Sequence, residues 1–519
     1  MRPGITRVVA LMLASTWPFA VNAQDDVRFT VDGWVIEGEN PISEADAQAV
    51  LRPYAGPQAG LDGLQQAARA LEEHLQDRGY TFYRVVLPPQ SISDGAVRLT
   101  VYPFTVGEIV IEGNEHHGDD NILRSLPSLK VGESPNAREL SRNLALANLN
   151  SSKRTRLTFG AGTAGELDAR IEVADRDPTR VYLWANDTGT EETGRYRVGA
   201  GYHNANFLDR DQVLSATVTT SPSKPDQVAQ GGLNWRMPHY GSNGLISAVA
   251  IESDVDSGTV AEVFDVRGSG SVYGLSYSKV LPRAGEYRHL LTLGVTDKYF
   301  DSDVEFADQA IGADVRSRPL HLEYAGEHQG GTTKSRFSVA AVNNLSGGRD
   351  NDDAAYDAVR AGAQQDWSLF RFDASVEKRI RGMTVRATVA GQYTDEPLIA
   401  GEQLGIAGVR SVRGFDEREI TGDRGFFARV EVLAPRFDNG LRLGWFIDGG
   451  RVERVEIGAG ESEETDVVTT GLTMSWDFDR RVRVNADIAH VLQLSPAVPG
   501  DGTAEGDERA HFNVTYFFE

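Results

Sequence analysis

An arginine in a glycine-punctuated segment and an aspartate in an alternating one are the residues of this chain best placed to do more than pack. Arg413 lies in LGIAGVRSVRGFDEREITGDRG, Leu404–Gly425, which is too apolar for a loop in water. Val409, Val412, Phe415 and Ile420 would each be costly to leave hydrated, so the segment is expected to fold back into a protein interior. A guanidinium carried inside needs a fixed carboxylate. The stretch LRLGWFIDGG offers one. Leu441, Leu443, Trp445 and Ile447 alternate on an apolar face, which turns Arg442, Gly444, Phe446 and Asp448 to the other side. Arg413 could then grip Asp448 through two charge-assisted hydrogen bonds. Spacing alone leaves open the alternative of a solvated Arg413 and an ordinary turn acid before Gly449-Gly450.

Other patterns fail on context. Gly160-Ala-Gly162-Thr-Ala-Gly165 has the letters of a dinucleotide loop, but ELDARIEV, a strand, follows it where a helix would have to open toward pyrophosphate. His116-His117 lies in the polar turn GNEHHGDD, and adjacent histidines cannot share one helix face as ligands; surface positions are expected. Asp301, Asp303, Glu305 and Asp308 lack the glycine and terminal glutamate of a calcium loop, so a solvated face is the simpler reading, with loose divalent-cation binding the other. There is no G-x-S-x-G, no H-E-x-x-H and no convincing triad. Cysteine is absent, which excludes disulfides and thiol chemistry. The 52 basic against 75 acidic residues, net charge -23, argue against nucleic acid, whose phosphates demand Lys and Arg. No enzyme, metal or cofactor is expected.

The elements that must position Arg413 and Asp448 fall into two kinds. Arg2 and Arg7, the apolar run Val8–Phe19 and the small residues up to Ala23 read as a secretory signal over residues 1–23, too short to span a bilayer. Residues 24–103 and 104–176 read as two α+β units. Phe29–Glu37 is a strand, 61–78 a helix with Leu64, Ala68, Leu71 and Leu75 on one face and Gly79 as its cap, and a hairpin follows. The order returns as GEIVIEGNE, a helix over Ala137–Leu149 and the strands RTRLTF and ELDARIEV. From residue 177 to 519 no convincing amphipathic helix is found. Some sixteen alternating segments occur instead, starting near Arg180, Tyr196, Gln212, Gly231, Gly244, Ser271, His289, Pro319, Lys334, Trp367, Met383, Gly425, Leu441, Val467, Val482 and Ala510. After even segments the connections are tight; after odd ones they are long and mostly acidic. An even strand number with loops sorted by parity describes a closed transmembrane barrel. Phe512, Val514, Tyr516 and Phe518 would face lipid, and the Arg413 segment, within 395–424, would be an outer-rim loop folded into the lumen.

These residues carry a resemblance. Val412-Arg413-Gly414-Phe415 resembles the V-R-G-[FY] loop tip of the outer-membrane assembly and secretion superfamily that includes BamA. Gly444–Gly450, with Phe446, Asp448 and Gly450, is similar to its partner strand motif, whose F-x-D acid pairs with the loop arginine. Val86-Leu-Pro-Pro-Gln90, Asp94-Gly95 and Val97–Val101 resemble the first POTRA domain of two-partner secretion transporters, which export haemolysins and filamentous haemagglutinins; Ile109–Asn114 looks like the start of a second. The resemblance implies two periplasmic α+β POTRA domains followed by a 16-stranded antiparallel transmembrane β-barrel in a Gram-negative outer membrane, among its lipid and lipopolysaccharide. It implies a large secreted β-repeat exoprotein as unfolded client, with no nucleic acid and no nucleotide. An outer-membrane assembly or insertion factor is the alternative, though such members usually carry three or five POTRA units; a passive porin would need none. Many members carry an N-terminal helix that plugs the pore. Here the first strand starts a few residues after Gln24, so the resting pore is expected to be closed by the Leu404–Gly425 loop and the outer loops.

Overall fold

The computed structural model describes residues 28–518, apart from short stretches at 93, 164, 192, 255–258, 261–263, 266–268, 302–304, 307–308, 311–312, 458–461 and 497–501. The signal segment and the acids Asp303 and Asp308 lie outside these residues. Two compact units result: residues up to Thr105 with Ser134–Ala137, and Val106–Glu133 with Arg138–Glu519.

In the first unit, β1 (Arg28–Val31) pairs with β3 (Gly56–Ala59), and β2 (Gly33–Gly38) lies parallel to β5 (Ala96–Pro103), which also pairs with β4 (Tyr83–Val86). Two helices cover them, α1 (Glu44–Leu51) and α2 (Asp62–Asp77). The face of α2 read from its period, Leu64, Ala68, Leu71 and Leu75, is buried in the core with Val97, Leu99 and Val101. Gly79 follows at φ +94°, a conformation only glycine adopts cheaply after a helix. The helix α1 was not legible in the periodicity, because only Ala47 and Leu51 of its eight residues are buried. Ser43 caps its start, its Oγ accepting the Asp46 N–H. Gln90 acts as a strand surrogate beyond β4, its amide donating to the Arg98 carbonyl (2.8 Å) and its Oε1 accepting from the Arg98 N–H (2.7 Å).

The second α+β set comprises β6 (Thr105–Glu112), α3 (Asp119–Arg124), α4 (Ala137–Ala147), β7 (Lys153–Ala161) and β8 (Glu166–Asp175), with sheet order β6-β8-β7. The G-x-G-x-x-G letters fall at the β7–β8 turn. His117 departs from its expected surface position. It is buried, its Nδ1 3.0 Å from Asp175 and its Nε2 3.2 Å from the Ser152 hydroxyl, because the turn folds back over the end of β8. Burial alone would raise the Asp175 carboxyl, but the N–H groups of His116 and Glu115 and the His117 ring hold it below its ordinary value.

This set is built onto the barrel. Lys153 Nζ, buried, donates to Asp211 (2.8 Å) and to Asn121 (2.8 Å), and Asp211 also accepts from the Tyr240 hydroxyl (2.5 Å). Asp211 and Tyr240 belong to two of the tight barrel turns, so the short-turn rim is the one that meets this second α+β set. Burial pushes the Lys153 ammonium down; Asp211 works against that.

The barrel has sixteen antiparallel strands. They are β9 (Thr179–Asn186), β10 (Arg197–Phe207), β11 (Gln212–Thr220), β12 (Ala229–His239), β13 (Gly244–Asp254), β14 (Ser269–Val280), β15 (Tyr287–Asp301) and β16 (Val315–Ser317, resuming as Pro319–Gly330). Then follow β17 (Thr333–Asn344), β18 (Ser368–Ile380), β19 (Met383–Tyr393), β20 (Arg424–Leu433), β21 (Leu441–Glu453), β22 (Glu464–Phe478), β23 (Val482–Ser495) and β24 (Glu508–Phe517). The ring closes through β24 and β9, from Asn513 opposite Asn186 to Phe517 opposite Tyr182. Outward positions are apolar: Leu443, Trp445 and Ile447 on β21, and Phe512, Tyr516 and Phe518 at the C-terminus. Their exposure is to lipid, where apolar side chains cost nothing. Among the described residues of the barrel one short α-helix interrupts the all-β pattern, α5 (Asp353–Val359), in the loop after β17 and capped by Asp352. At seven residues it is too short to show a helical period.

Candidate functional site at the tip of the inward loop

The chain between β19 and β20 turns into the lumen. Ile406, Ala407, Val412, Phe415 and Ile420 form an apolar core with the wall residues Val452, Val467, Val491 and Leu494. Val409 is only half-buried, lining a cavity under the tip. The turn needs its glycines. Gly414 has φ +102°, and a side chain there would press on Ala489; a Cβ on Gly450 would sit 2.9 Å from the Phe426 carbonyl and 3.1 Å from Ile406.

Packing of this kind delivers Arg413 to the wall. Arg413 and Asp448 are each 1 % exposed. Arg413 Nε and Nη2 donate to the two Asp448 oxygens at 2.7 and 2.9 Å, and its backbone N–H donates to the same carboxylate at 3.3 Å. The guanidinium lies over the Phe446 ring, 3.4 Å from its centroid. Phe446, Asp448 and Gly450 thus contribute a stacking face, an acid and room for the loop, all from inward positions of β21. Of the sequence-selected residues, Val412 and Phe415 lie in the apolar core, and the Gly414 N–H donates to His511 Nε2 at 3.1 Å.

Four partners were not foreseen. Glu431 on β20 and Asp487 on β23 accept from Arg413 Nη1 at 3.0 and 3.1 Å. Arg429 reaches Glu431 at 3.4 Å and Asp448 at 3.7 Å, and Arg386 donates to Glu431 at 3.0 Å. Three guanidiniums therefore face three carboxylates; Arg413, Asp448 and Glu431 are buried and mutually compensated, while Arg386 stays half-exposed and also pairs with Glu377 at 3.0 Å. The signal for them was parity. Each is a charged residue on an inward position, with Val430 and Ile488 beside them facing out.

A second buried acid holds the loop's far end. Asp423 accepts a two-pronged contact from Arg360, just after α5, and also the N–H groups of Leu398 (3.0 Å) and Val455 (2.8 Å). Beyond the tip, Glu419 accepts from the N–H and hydroxyl of Thr503 at 2.7 and 2.8 Å, and Arg509 pairs with Asp416. The loop is pinned at tip and base, and outer loops reach down to it.

Comparison with known proteins agrees with this architecture. Residues 165–475 match the family described as haemolysin secretion/activation protein ShlB/FhaC/HecB, and residues 29–103 match the POTRA domain of ShlB type. The outer membrane transporter CdiB-2 of Burkholderia pseudomallei is 24% identical over 421 residues, 79% of this chain and 70% of that one. The heme/hemopexin transporter protein HuxB of Haemophilus influenzae is 21% identical over 450 residues, 82% of this chain and 77% of its own. Among solved structures, CdiB from Escherichia coli superposes with a TM-score of 0.68 at 18% identity, covering 97% of this chain and 93% of that one. A Haemophilus ducreyi BamA lacking POTRA domains 1-3 gives 0.50 at 14% identity, over 94% and 100%. The family match covers more than half of the 519 residues, and the sixteen-stranded barrel and α+β domain agree with it: the chain belongs to the haemolysin secretion/activation family of two-partner outer-membrane transporters.

Proposed function

We propose that this protein takes an unfolded exoprotein from the periplasm and exports it through the barrel, with residues 1–23 as signal peptide and 24–103 and 104–176 as two POTRA domains. The observation that carries the reading is the buried Arg413–Asp448 pair at the tip of a loop occupying the lumen. A passive pore has no use for a plug held by a neutralised charge cluster, whereas a conduit for a large chain needs a closure that is stable at rest and displaceable as a unit. The client is a large secreted β-repeat protein, and its extended segment adds to a sheet edge. In the first α+β unit β2 is such an edge, paired on one side with β5, with Val35 exposed and with α1 beside it through Gln48, which donates to the Trp34 carbonyl at 2.8 Å; β4, against which α2 packs, is the opposite edge of the same sheet. No nucleotide is required if folding of the emerged client at the cell surface draws the chain outward. Binding, passage and release are then physical steps, and no residue acts as a catalyst.

The test is secretion of the client by cells carrying Arg413→Ala. The expected result is a severalfold loss of exoprotein in the medium with the barrel inserted at wild-type level. Wild-type secretion by that variant would remove the loop from the mechanism.

A further inference from the structure

The chain is acidic overall, yet the lumen below the loop tip is not. A cavity of about 640 Å³ lies beneath Val409, Arg410 and Arg413 and runs toward the short-turn rim, where Arg436, Arg442 and Arg483 reach it. Seven arginines and four carboxylates line it, and even when Asp448 and Glu377, which pair with Arg413 and Arg386 from outside the lining, are counted, cations outnumber anions there, in a protein whose acids outnumber its bases 75 to 52.

Most of these arginines are engaged. Arg413, Arg429 and Arg386 share the carboxylate cluster of the loop tip, while Asp477 takes both Arg436 and Arg483. Two differ. Arg410 is exposed to the cavity, and Arg442 bonds through Nε to the Ala434 carbonyl at 3.0 Å; among the described residues neither forms an ion pair at contact distance, Glu377, already paired with Arg386, being a carboxylate within electrostatic reach of Arg442. Guanidiniums with unused N–H groups, inside a wall that excludes lipid, focus positive potential on whatever enters from the periplasmic mouth. Their planar forks match carboxylates.

We infer that this vestibule is a binding site for Asp- and Glu-bearing extended segments of the exported polypeptide, with Arg410 and Arg442 as the receiving groups. The inference rests on the export reading above and adds a selectivity to it. An acidic stretch is drawn in and held directly beneath the Arg413 tip, whereas a neutral stretch enters without that attraction. The volume suits a short extended segment.

The experiment uses the full chain purified in detergent and two short fluorescent peptides, one alternating Asp with Ser and the other with Asn in place of Asp. Fluorescence anisotropy at low salt should show the Asp peptide binding at least about tenfold tighter, as expected for two charge-assisted contacts. Arg410→Gln with Arg442→Gln should bring the two affinities within about twofold of each other. The heat-dependent gel mobility of the folded barrel checks that the variant is intact. Equal affinities in the wild type, no binding of either peptide, or an unchanged preference in the double variant would each overturn the inference. Displacement of the Asp peptide by inorganic phosphate, at concentrations where chloride has no effect, would reassign the site to phosphate-bearing ligands and overturn it too. Secretion by the wild type is scored separately. Client export with indifferent peptide binding removes only the charge selectivity, while absent export removes the reading beneath it.

Discussion

Removing Arg413 should release the lumen loop by an amount the structure lets one work out. Arg413→Ala deletes the two contacts to Asp448, those to Glu431 and Asp487 and the stacking on Phe446. It leaves Asp448 buried, with Arg429 at 3.7 Å as its nearest remaining cation. Breaking one side of a buried ion pair typically costs about 3–5 kcal/mol. The apolar seat of Val412, Phe415 and Ile420 survives, so the loop is weakened rather than expelled. At about 1.4 kcal/mol per factor of ten, the docked-to-released equilibrium shifts by about a hundredfold or more. The protein contains no cysteine, so a single engineered thiol reports without background. Ser411, buried beside the tip, is close in size to cysteine. Ser411→Cys should react slowly with a maleimide in outer-membrane vesicles, and adding Arg413→Ala should raise the rate by about two orders of magnitude, in step with that shift. Removing the stranded acid as well, in Arg413→Ala with Asp448→Ala, should bring the rate part of the way back, since the uncompensated charge is gone. Equal labelling with and without Arg413 would show that the apolar seat alone holds the loop, and the electrostatic argument would fail.

Arg360→Ala strips the buried Asp423 of its cation, so protease added to intact cells should cut the loop carrying α5 several times faster; an unchanged cleavage rate would remove the clamp. Gly450→Ala drives a methyl toward Ile406 and the Phe426 carbonyl and should raise Ser411→Cys labelling, by less than Arg413→Ala does. Lys153→Met leaves Asp211 buried and should destabilise the seat of the second α+β set by about 3 kcal/mol, seen as faster hydrogen exchange in β7 and β8; wild-type protection there would contradict it. The Asp175 carboxyl is held below its ordinary value when folded, so its contribution is complete above about pH 4 to 5 and is lost as pH falls through the depressed folded value. Protection of the 115–117 turn should therefore fall on acidification in the wild type, while Asp175→Asn should be weaker at neutral pH and nearly flat. A parallel pH response in both would refute the assignment.

Much of this protein is written locally. Strand alternation and turn chemistry are short-range properties, so the sixteen barrel segments, with their short turns and long loops, can be read from residues a few positions apart, and the structure has sixteen strands starting within a few residues of those readings. The apolar content of Leu404–Gly425 and the inward parity of Asp448 are legible for the same reason. What the local pattern could not hold is the company these residues keep. Glu431, Asp448 and Asp487 lie 18, 35 and 74 positions from Arg413, and they converge on it only because barrel closure and stagger bring β20, β21 and β23 past one point of the lumen. The buried His117, the Lys153–Asp211–Tyr240 seat and the Arg360–Asp423 clamp were invisible likewise. Each is a polar group buried against a partner from a distant element. Only the tertiary fold supplies the partner that makes such burial affordable.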